Sequence, residues 1–329
     1  MSKTYNWGII GPGKIAHKFA QDLAGLDNAR LSAVASRSQE RAAQFARQYG
    51  APYAYGSYEA LMDCPELDVV YIATPHSAHY ANTLLCLEAG MPVLCEKAFA
   101  FNATEARRMI QTARAKNLFL MEALWTRFLP TTQKILELLQ SDAIGRVISV
   151  KADFGFKAPF DPDSRLFNAE LAGGALLDIG IYPAFIAYLM MGKPATIQAA
   201  ARIGQTNVDE EIGMLFQMAD GRMAHLHATL LAHTKTEAYI YGERGTIHMH
   251  TRWHEPSHFS LIGEDRRPQN FHFDYNSNGY AYEAQEVMRC LSKGLTESPS
   301  WPLDHTLELM EILDAVRAEI GLAYPGETQ

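Results

Sequence analysis

The stretch YNWGIIGPGKIA (Tyr5–Ala16) decides the fold. It opens as a short apolar run suited to a buried strand and continues into a helical pattern beginning at Lys14 and Ile15. Between the two, Gly11, Gly13 and Ala16 spell G-x-G-x-x-A. Gly11 permits a tight turn, Gly13 lets the backbone approach a pyrophosphate, and Ala16 lets helix and strand pack closely. The N–H groups at the head of the helix then face the phosphates. Glycines in turns are common, and the motif alone could be structural. Its place between a strand and a helix near the chain start points to dinucleotide binding.

The alternation continues to about Met121. Short apolar runs (ARLSAVAS, LDVVYIAT, MPVLCE, LFLME) separate amphipathic stretches such as RSQERAAQFARQYG and HYANTLLCLEAG. Gly50, Gly90 and Asn117, which tolerate a left-handed backbone, stand where helices should end. Near-continuous apolar strands joined by helices predict a parallel sheet covered on both faces. Right-handed crossovers make it a doubly wound Rossmann fold of α/β class.

In NAD-binding versions of this fold, an acid ending the second strand binds the adenosine ribose. Here Ser36 and Arg37 stand in that place, with Arg41 one turn on. A carboxylate would repel a 2′-phosphate, whereas arginine pairs with it. NADP is therefore expected over NAD, with NAD possible; the bland alternative is two solvated helix-start arginines. The fourth and fifth strands run into ATPHSAHY and VLCEKAFAFN, at the sheet edge where ligands bind. That assigns Thr74, Pro75, His76, His79, Glu96 and Lys97 to the nicotinamide half of the cofactor. Against this, Lys97 could be ion-paired with Glu96, and either histidine could cap a helix or bond the backbone.

After MEALWTRFLP the pattern changes. One helix leads into strand-like alternation with tight turns at Asp220-Gly221 and Arg244-Gly245, and the closing LDHTLELMEILDAVRAEIG is an amphipathic helix. Residues 1–122 are thus expected to form an NAD(P)-binding Rossmann domain. Residues 123–329 are expected to form an α+β substrate-binding and dimerisation domain around a large, mainly antiparallel open sheet. The segment GGALLDIGIYPAFIAYLMMG (Gly173–Gly192) carries one charge, Asp178, with Tyr182 one helical turn on and so on the same face. Its head reads as too polar, and its apolar run as too short, to span a bilayer comfortably.

With 329 residues, 48% hydrophobic and 20% charged, the chain has an ordinary globular composition. Its net charge of −8 argues against nucleic-acid binding. Four cysteines (Cys64, Cys86, Cys95, Cys290) without paired spacing, and an N-terminus lacking a signal-peptide core, lead us to expect a cytoplasmic protein. Seven of the twelve histidines fall between His225 and His258. No acid or cysteine recurs there at ligand spacing, so stacking or a subunit contact is expected in place of a metal site.

Taken in order, GIIGPGKIA, TPHSAHY, CEKAFAFN, MEALWTRFLP and GGALLDIGIY resemble the Gfo/Idh/MocA oxidoreductases. The likeness runs through almost the whole chain and falls in the branch of dihydrodiol and NADP-dependent D-xylose dehydrogenases. Two departures from the wider family stand out. Ala98 replaces the proline of Glu-Lys-Pro, which should loosen that turn slightly, and Tyr182 replaces a histidine, as in this branch. The resemblance implies a homodimer and a small-molecule polyol, sugar or dihydrodiol as substrate, with no nucleic-acid or membrane partner. Hydride transfer needs a proton relay. Tyr182 is the expected general acid/base, Lys97 the ammonium that favours its phenolate, and Asp178 the group holding Lys97 or a substrate hydroxyl. The alternative is a core tyrosine bonded to Asp178. Trp125, Arg127, Phe128, Phe154 and Phe156 are expected to wall the substrate pocket, unless each is core packing and Arg127 a structural ion pair. Two rival functions are a reductase of a sugar-derived ketone or aldehyde, and a non-catalytic NADP(H) sensor.

Overall fold

A computed structural model describes residues 3–327. The chain makes two compact units. One holds the chain to Phe128 and again Tyr275–Leu307; the other holds Leu129–Asp274 and the chain from Glu308 onward.

In the first unit, six strands form a parallel sheet: β1 (Tyr5–Ile10), β2 (Ala29–Ala35), β3 (Tyr53–Tyr55), β4 (Val69–Ile72), β5 (Val93–Glu96) and β6 (Leu120–Ala123). Their order is β3-β2-β1-β4-β5-β6, the doubly wound arrangement, with the reversal between β1 and β4. The helices α1 (Lys14–Leu23), α2 (Gln39–Tyr49), α3 (Tyr58–Leu61), α4 (His79–Glu88) and α5 (Ala103–Lys116) link them. Their ends follow from local chemistry. Ser38 accepts from the Arg41 amide and Asn102 from the Glu105 amide, capping α2 and α5. Gly50 and Asn117 close the same two helices in the left-handed region. A ladder of rings fills the core beneath α1, with Trp7 edge-on to Phe19 and Phe19 stacked on Tyr71 at 3.9 Å.

The first unit runs on to Phe128 and takes back a later segment, because two buried carboxylates bind it. Asp22, at the end of α1, accepts from the backbone amides of Asn278, Tyr280 and Ala281 at 2.8, 2.8 and 3.2 Å. It thereby supplies the N-terminal cap of α8 (Ala281–Ser292), which has no side-chain cap of its own. Glu122, at the end of β6, accepts from Trp301 Nε1 at 3.1 Å and Thr306 Oγ1 at 2.9 Å. Neither contact is visible in a chain read for periodicity, since each joins residues far apart in sequence.

The second unit opens with α6 (Pro130–Gln140), and its sheet has eight strands. These are β7 (Val147–Gly155), β8 (Thr196–Ile203), β9 (Asp209–Gln217), β10 (Met223–Thr229), β11 (Ala238–Gly242), β12 (Thr246–Met249), β13 (Phe259–Ile262) and β14 (Pro268–Phe271). The order is β14-β13-β12-β11-β7-β10-β9-β8. β7 and β10 run parallel, and the other neighbouring pairs run antiparallel. One face, with Val150, Ala152, Ile212, Phe216, Ala224 and Ile240, is buried, and α7 (Ile181–Met191) packs against β7 and β10. The last helix, α9 (Leu303–Ile320), begins in the first unit and ends in the second.

The expectation that the Gly173–Gly192 segment falls short of a membrane span is corrected. The helical stretch Ala169–Met191 is long and apolar enough to cross a bilayer, but 89% of its most apolar window is buried within the protein, as for a core helix. No group of three or more His, Cys, Asp or Glu side chains placed to hold a metal occurs among the described residues. His248 stacks on Tyr239 at 4.2 Å and meets His250 edge-on, while His258 sits against His272.

Replacing Asp22 by alanine leaves three amides without their acceptor, so stability should fall by about 2–4 kcal/mol in urea denaturation. Asp22→Asn keeps one acceptor oxygen and should lose about half of that.

Candidate active site

The turn after β1 is shaped by crowding on one side and space on the other. Gly11 has φ +86°, and a Cβ there would stand 2.9 Å from Thr74 Cγ2 and 3.0 Å from the Ala73 carbonyl, so only glycine fits. Gly13 is different: its backbone is extended, and the nearest protein atom to a Cβ would be 4.0 Å away. The protein does not itself require a glycine there, and the space in front of it suits a ligand approaching the backbone. α1 begins at Lys14 with neither a side-chain cap nor an acid in its first turn. Its N-terminal amides are therefore offered to an anion, and Ala16 is fully buried against the sheet. These features fit a dinucleotide pyrophosphate.

Ser36 is buried and accepts from the Ser38 amide, which shapes the turn after β2. Arg37 and Arg41 are exposed, and neither guanidinium forms an ion pair with a described residue. At the ends of β4 and β5 the polar groups are tightly held. Thr74 Oγ1 accepts from Asn82 Nδ2, and Pro75 leads into a single 3₁₀ turn bearing His76. His79 is fully buried, with Nδ1 2.8 Å from the Ala98 carbonyl and Nε2 2.9 Å from the Thr74 carbonyl. Burial, the largest influence, pushes its pKa down to about 4 despite those two oxygens, so the ring is neutral near pH 7 and donates through one nitrogen. Both nitrogens face backbone, so His79 acts on the site through the segment it ties down. Glu96 accepts from Tyr71 Oη at 2.5 Å and from the Lys97 amide at 3.2 Å. Lys97 itself is half-buried, and the Lys97–Ala98 peptide is cis.

Just past β6, Trp125 lies flat against Tyr280, with centroids 4.4 Å apart and planes 4° apart. Arg127 sits beside it in the field of Glu286, and burial holds its pKa below the usual guanidinium value. Phe128 is buried.

In the second unit, Asp178 lies in a π-helical turn, Leu176–Gly180, that leads into α7. Its bonding from i to i+5 widens the helix, so the four residues from Asp178 to Tyr182 fall short of a full turn. Asp178 is buried and holds Arg165 through two bonds, at 2.6 and 3.4 Å. Tyr182, also buried, belongs to a cluster of rings. Phe154 is 5.7 Å and His254 5.0 Å from it, and Phe154 and His254 stack at 4.0 Å. Phe156 lies beyond, 6.2 Å from Phe154. Arg165 and His254 were not singled out in the sequence. Arg165 sits in an irregular loop, and His254 is one histidine of many, in a turn.

Residues 5–124 match the family model described as "Oxidoreductase family, NAD-binding Rossmann fold", and residues 132–248 match "GFO/IDH/MocA C-terminal domain". The chain is 39% identical to the trans-1,2-dihydrobenzene-1,2-diol dehydrogenase of Mus musculus over 328 residues, covering 97% of this chain and 98% of that protein. Among solved structures it resembles KijD10, a 3-ketoreductase from Actinomadura kijaniata in complex with NADP and TDP-benzene. That match has a TM-score of 0.86 and 26% identity, covering 97% and 98% of the two chains. A levoglucosan dehydrogenase with NADH and L-sorbose shares the fold at TM-score 0.88 and 21% identity, covering 97% of each chain. This chain belongs to the Gfo/Idh/MocA family of oxidoreductases. It is an NAD(P)-dependent enzyme acting on CH–OH groups.

Because no protein atom crowds Gly13, Gly13→Val should leave the melting temperature nearly unchanged while weakening NADPH binding by at least about tenfold. Thermal melts beside a nucleotide-fluorescence titration separate the two effects.

Proposed function

We propose that the enzyme transfers a hydride between NADP and a secondary alcohol of a cyclic diol or sugar, with Tyr182 as general acid/base. The observation that carries this reading is the setting of Tyr182. The phenol is buried among Phe154 and His254, at the head of a helix whose preceding π turn presents Asp178 already braced by Arg165. A phenol walled by rings suits a ring-shaped substrate with an apolar face. The near-full-length likeness to a dihydrodiol dehydrogenase supports the same substrate class.

Nicotinamide supplies the hydride chemistry when bound, and the protein handles the proton. Tyr182 takes the hydroxyl proton as the alcohol is oxidised and returns it in the reverse direction. Lys97 supplies the positive charge that favours the phenolate, and Asp178 orients a hydroxyl or amine by accepting from it. Gly11, Gly13 and the head of α1 hold the pyrophosphate. Arg37 and Arg41 are the cations for a 2′-phosphate, and Thr74, Pro75, His76, Glu96 and Lys97 form the nicotinamide end, braced by His79. Trp125, Arg127 and Phe128, with Phe154 and Phe156, select the substrate. The reductive direction has its own support in the similarity to a 3-ketoreductase. The four cysteines, all buried and free of disulfides, fit the cytoplasm.

Absorbance of reduced nicotinamide, followed with NADP or NAD and a panel of D-xylose, D-glucose, inositol and a cyclic trans-dihydrodiol, tests the reading. Tyr182→Phe should lower kcat at least about a hundredfold, and normal turnover in folded Tyr182→Phe would remove the assignment. Arg37→Ala should raise KM for NADP about tenfold and leave NAD nearly unaffected, and a preference for NAD in the parent enzyme would refute the role of Arg37.

We also infer a homodimer formed through the open face of the second unit's sheet. That face carries Met223 and Tyr241 at 40% and 37% exposure, in register with Ser149 between them, and beside them the stacked Tyr239 and His248. Exposed apolar and aromatic groups in one patch mark a surface that is covered in use. Met223→Glu/Tyr241→Glu should shift the molar mass by light scattering from two copies to one; a parent that is already monomeric would exclude the dimer.

A further inference from the structure

The helix bearing Asp178 and Tyr182 has no cap of its own, since neither its π turn nor α7 carries a side-chain cap. Its head is instead fixed by Asp209, the first residue of β9 and fully buried. The Leu176 amide donates to Asp209 Oδ2 at 2.7 Å. The approach is so close that a Cβ on Gly174, where φ is +116°, would stand 2.1 Å from Asp209 Oδ1. One residue earlier the Gly173 carbonyl accepts from Tyr324 Oη at 2.7 Å. Tyr324 comes from the segment after α9, and its amide donates to Glu327. Glu327 in turn takes both terminal nitrogens of Arg317, at 2.6 and 2.8 Å. The guanidinium lies 5.2 Å from the Tyr324 ring and also pairs with Asp314 at 2.7 Å.

We propose that Asp209 is a positioning residue for Asp178 and Tyr182: its carboxylate sets the start of their helix, and Tyr324 locks the turn before it. This rests on the catalytic reading of Tyr182.

The groups facing Asp209 are the Leu176 and Ala175 amides, the Arg317 guanidinium and the Tyr324 phenol. Burial outweighs the amides and Arg317 and pushes the Asp209 pKa up to about 7. Activity and stability then respond to pH in opposite senses. As pH falls through about 7, Asp209 gains a proton and loses acceptor strength toward Leu176, so the reacting groups lose their placement and turnover falls. Over the same range the folded protein binds a proton that the unfolded chain, with an aspartate pKa of about 3.9, does not. This group's contribution to stability therefore rises as pH falls from about 7 to 4 and is lost as pH rises. A residue that merely supported the fold would move both quantities together.

Asp209→Asn keeps an acceptor for the Leu176 amide but cannot titrate, and Asp209→Ala removes the acceptor. Steady-state kinetics and thermal melts of both variants and the parent, from about pH 5.5 to 9, decide the matter. Asp209→Ala should lower kcat at least about tenfold with KM for NADP unchanged. Asp209→Asn, neutral at every pH like the protonated acid, should hold kcat at pH 8 near the parent's low-pH level, lose the acid limb near pH 7, and gain melting temperature over the parent as pH rises. Parental kcat in Asp209→Ala, or a parental acid limb in Asp209→Asn, overturns the proposal; if Asp209→Ala does not fold, Asp209→Asn alone decides. Hydrogen exchange at Leu176 keeps the two readings apart. Faster exchange in Asp209→Ala together with a fully active Tyr182→Phe would leave the clamp standing and remove the catalytic assignment. Parental exchange in Asp209→Ala would remove the clamp.

Discussion

The first unit depends on one close approach, that of the turn at Gly11 to the end of β4. With φ at +86° and a Thr74 methyl where a Cβ would point, the chain leaves β1 hard against Ala73 and Thr74. This juxtaposition sets more than the phosphate turn. The Thr74 carbonyl faces one nitrogen of His79, and the other nitrogen faces the Ala98 carbonyl, one residue past Lys97. A continuous run of packed backbone and one neutral imidazole thus links the pyrophosphate end of the sheet edge to the lysine. The links from the Thr74 carbonyl through His79 to the Ala98 carbonyl are buried and short.

Much of this unit was legible because its determinants are local. Short, mostly apolar runs between amphipathic stretches read as buried strands, and Gly50 and Asn117 mark helix ends by chemistry that acts within three residues. The return of 275–307 was not legible. It depends on Asp22 and Glu122, and an acid in a helical pattern reads as solvent-facing until the fold brings amides or an indole N–H to it.

The second unit divides in the same way. Asp178 and Tyr182 stand out in the sequence as a lone acid and a phenol in an apolar segment. The π turn between them does not, because nothing in LLDIG distinguishes i+4 from i+5 bonding. Arg165, His254 and Asp209 escaped because their roles are set by loops and by strand register. Asp209 in particular is an acid at the start of β9, one strand in from the sheet edge, with no exposed surface.

Buried acids recur, and their environments divide them by task. Asp22, Glu122 and Asp209 each receive hydrogen bonds from chain segments distant in sequence, with one oxygen of Glu122 and one of Asp209 left without a partner among the described residues. Glu283 differs: it is fully buried on the first turn of α8, and neither carboxyl oxygen has a hydrogen-bond partner among the described residues. Burial, the largest influence, with Glu96 and Asp22 nearby, pushes its pKa well above the ordinary carboxylate value. A charged Glu283 would confront Glu96, which already holds Tyr71 Oη and the Lys97 amide. A proton on Glu283 would remove that repulsion from Glu96, the acceptor of the Lys97 amide.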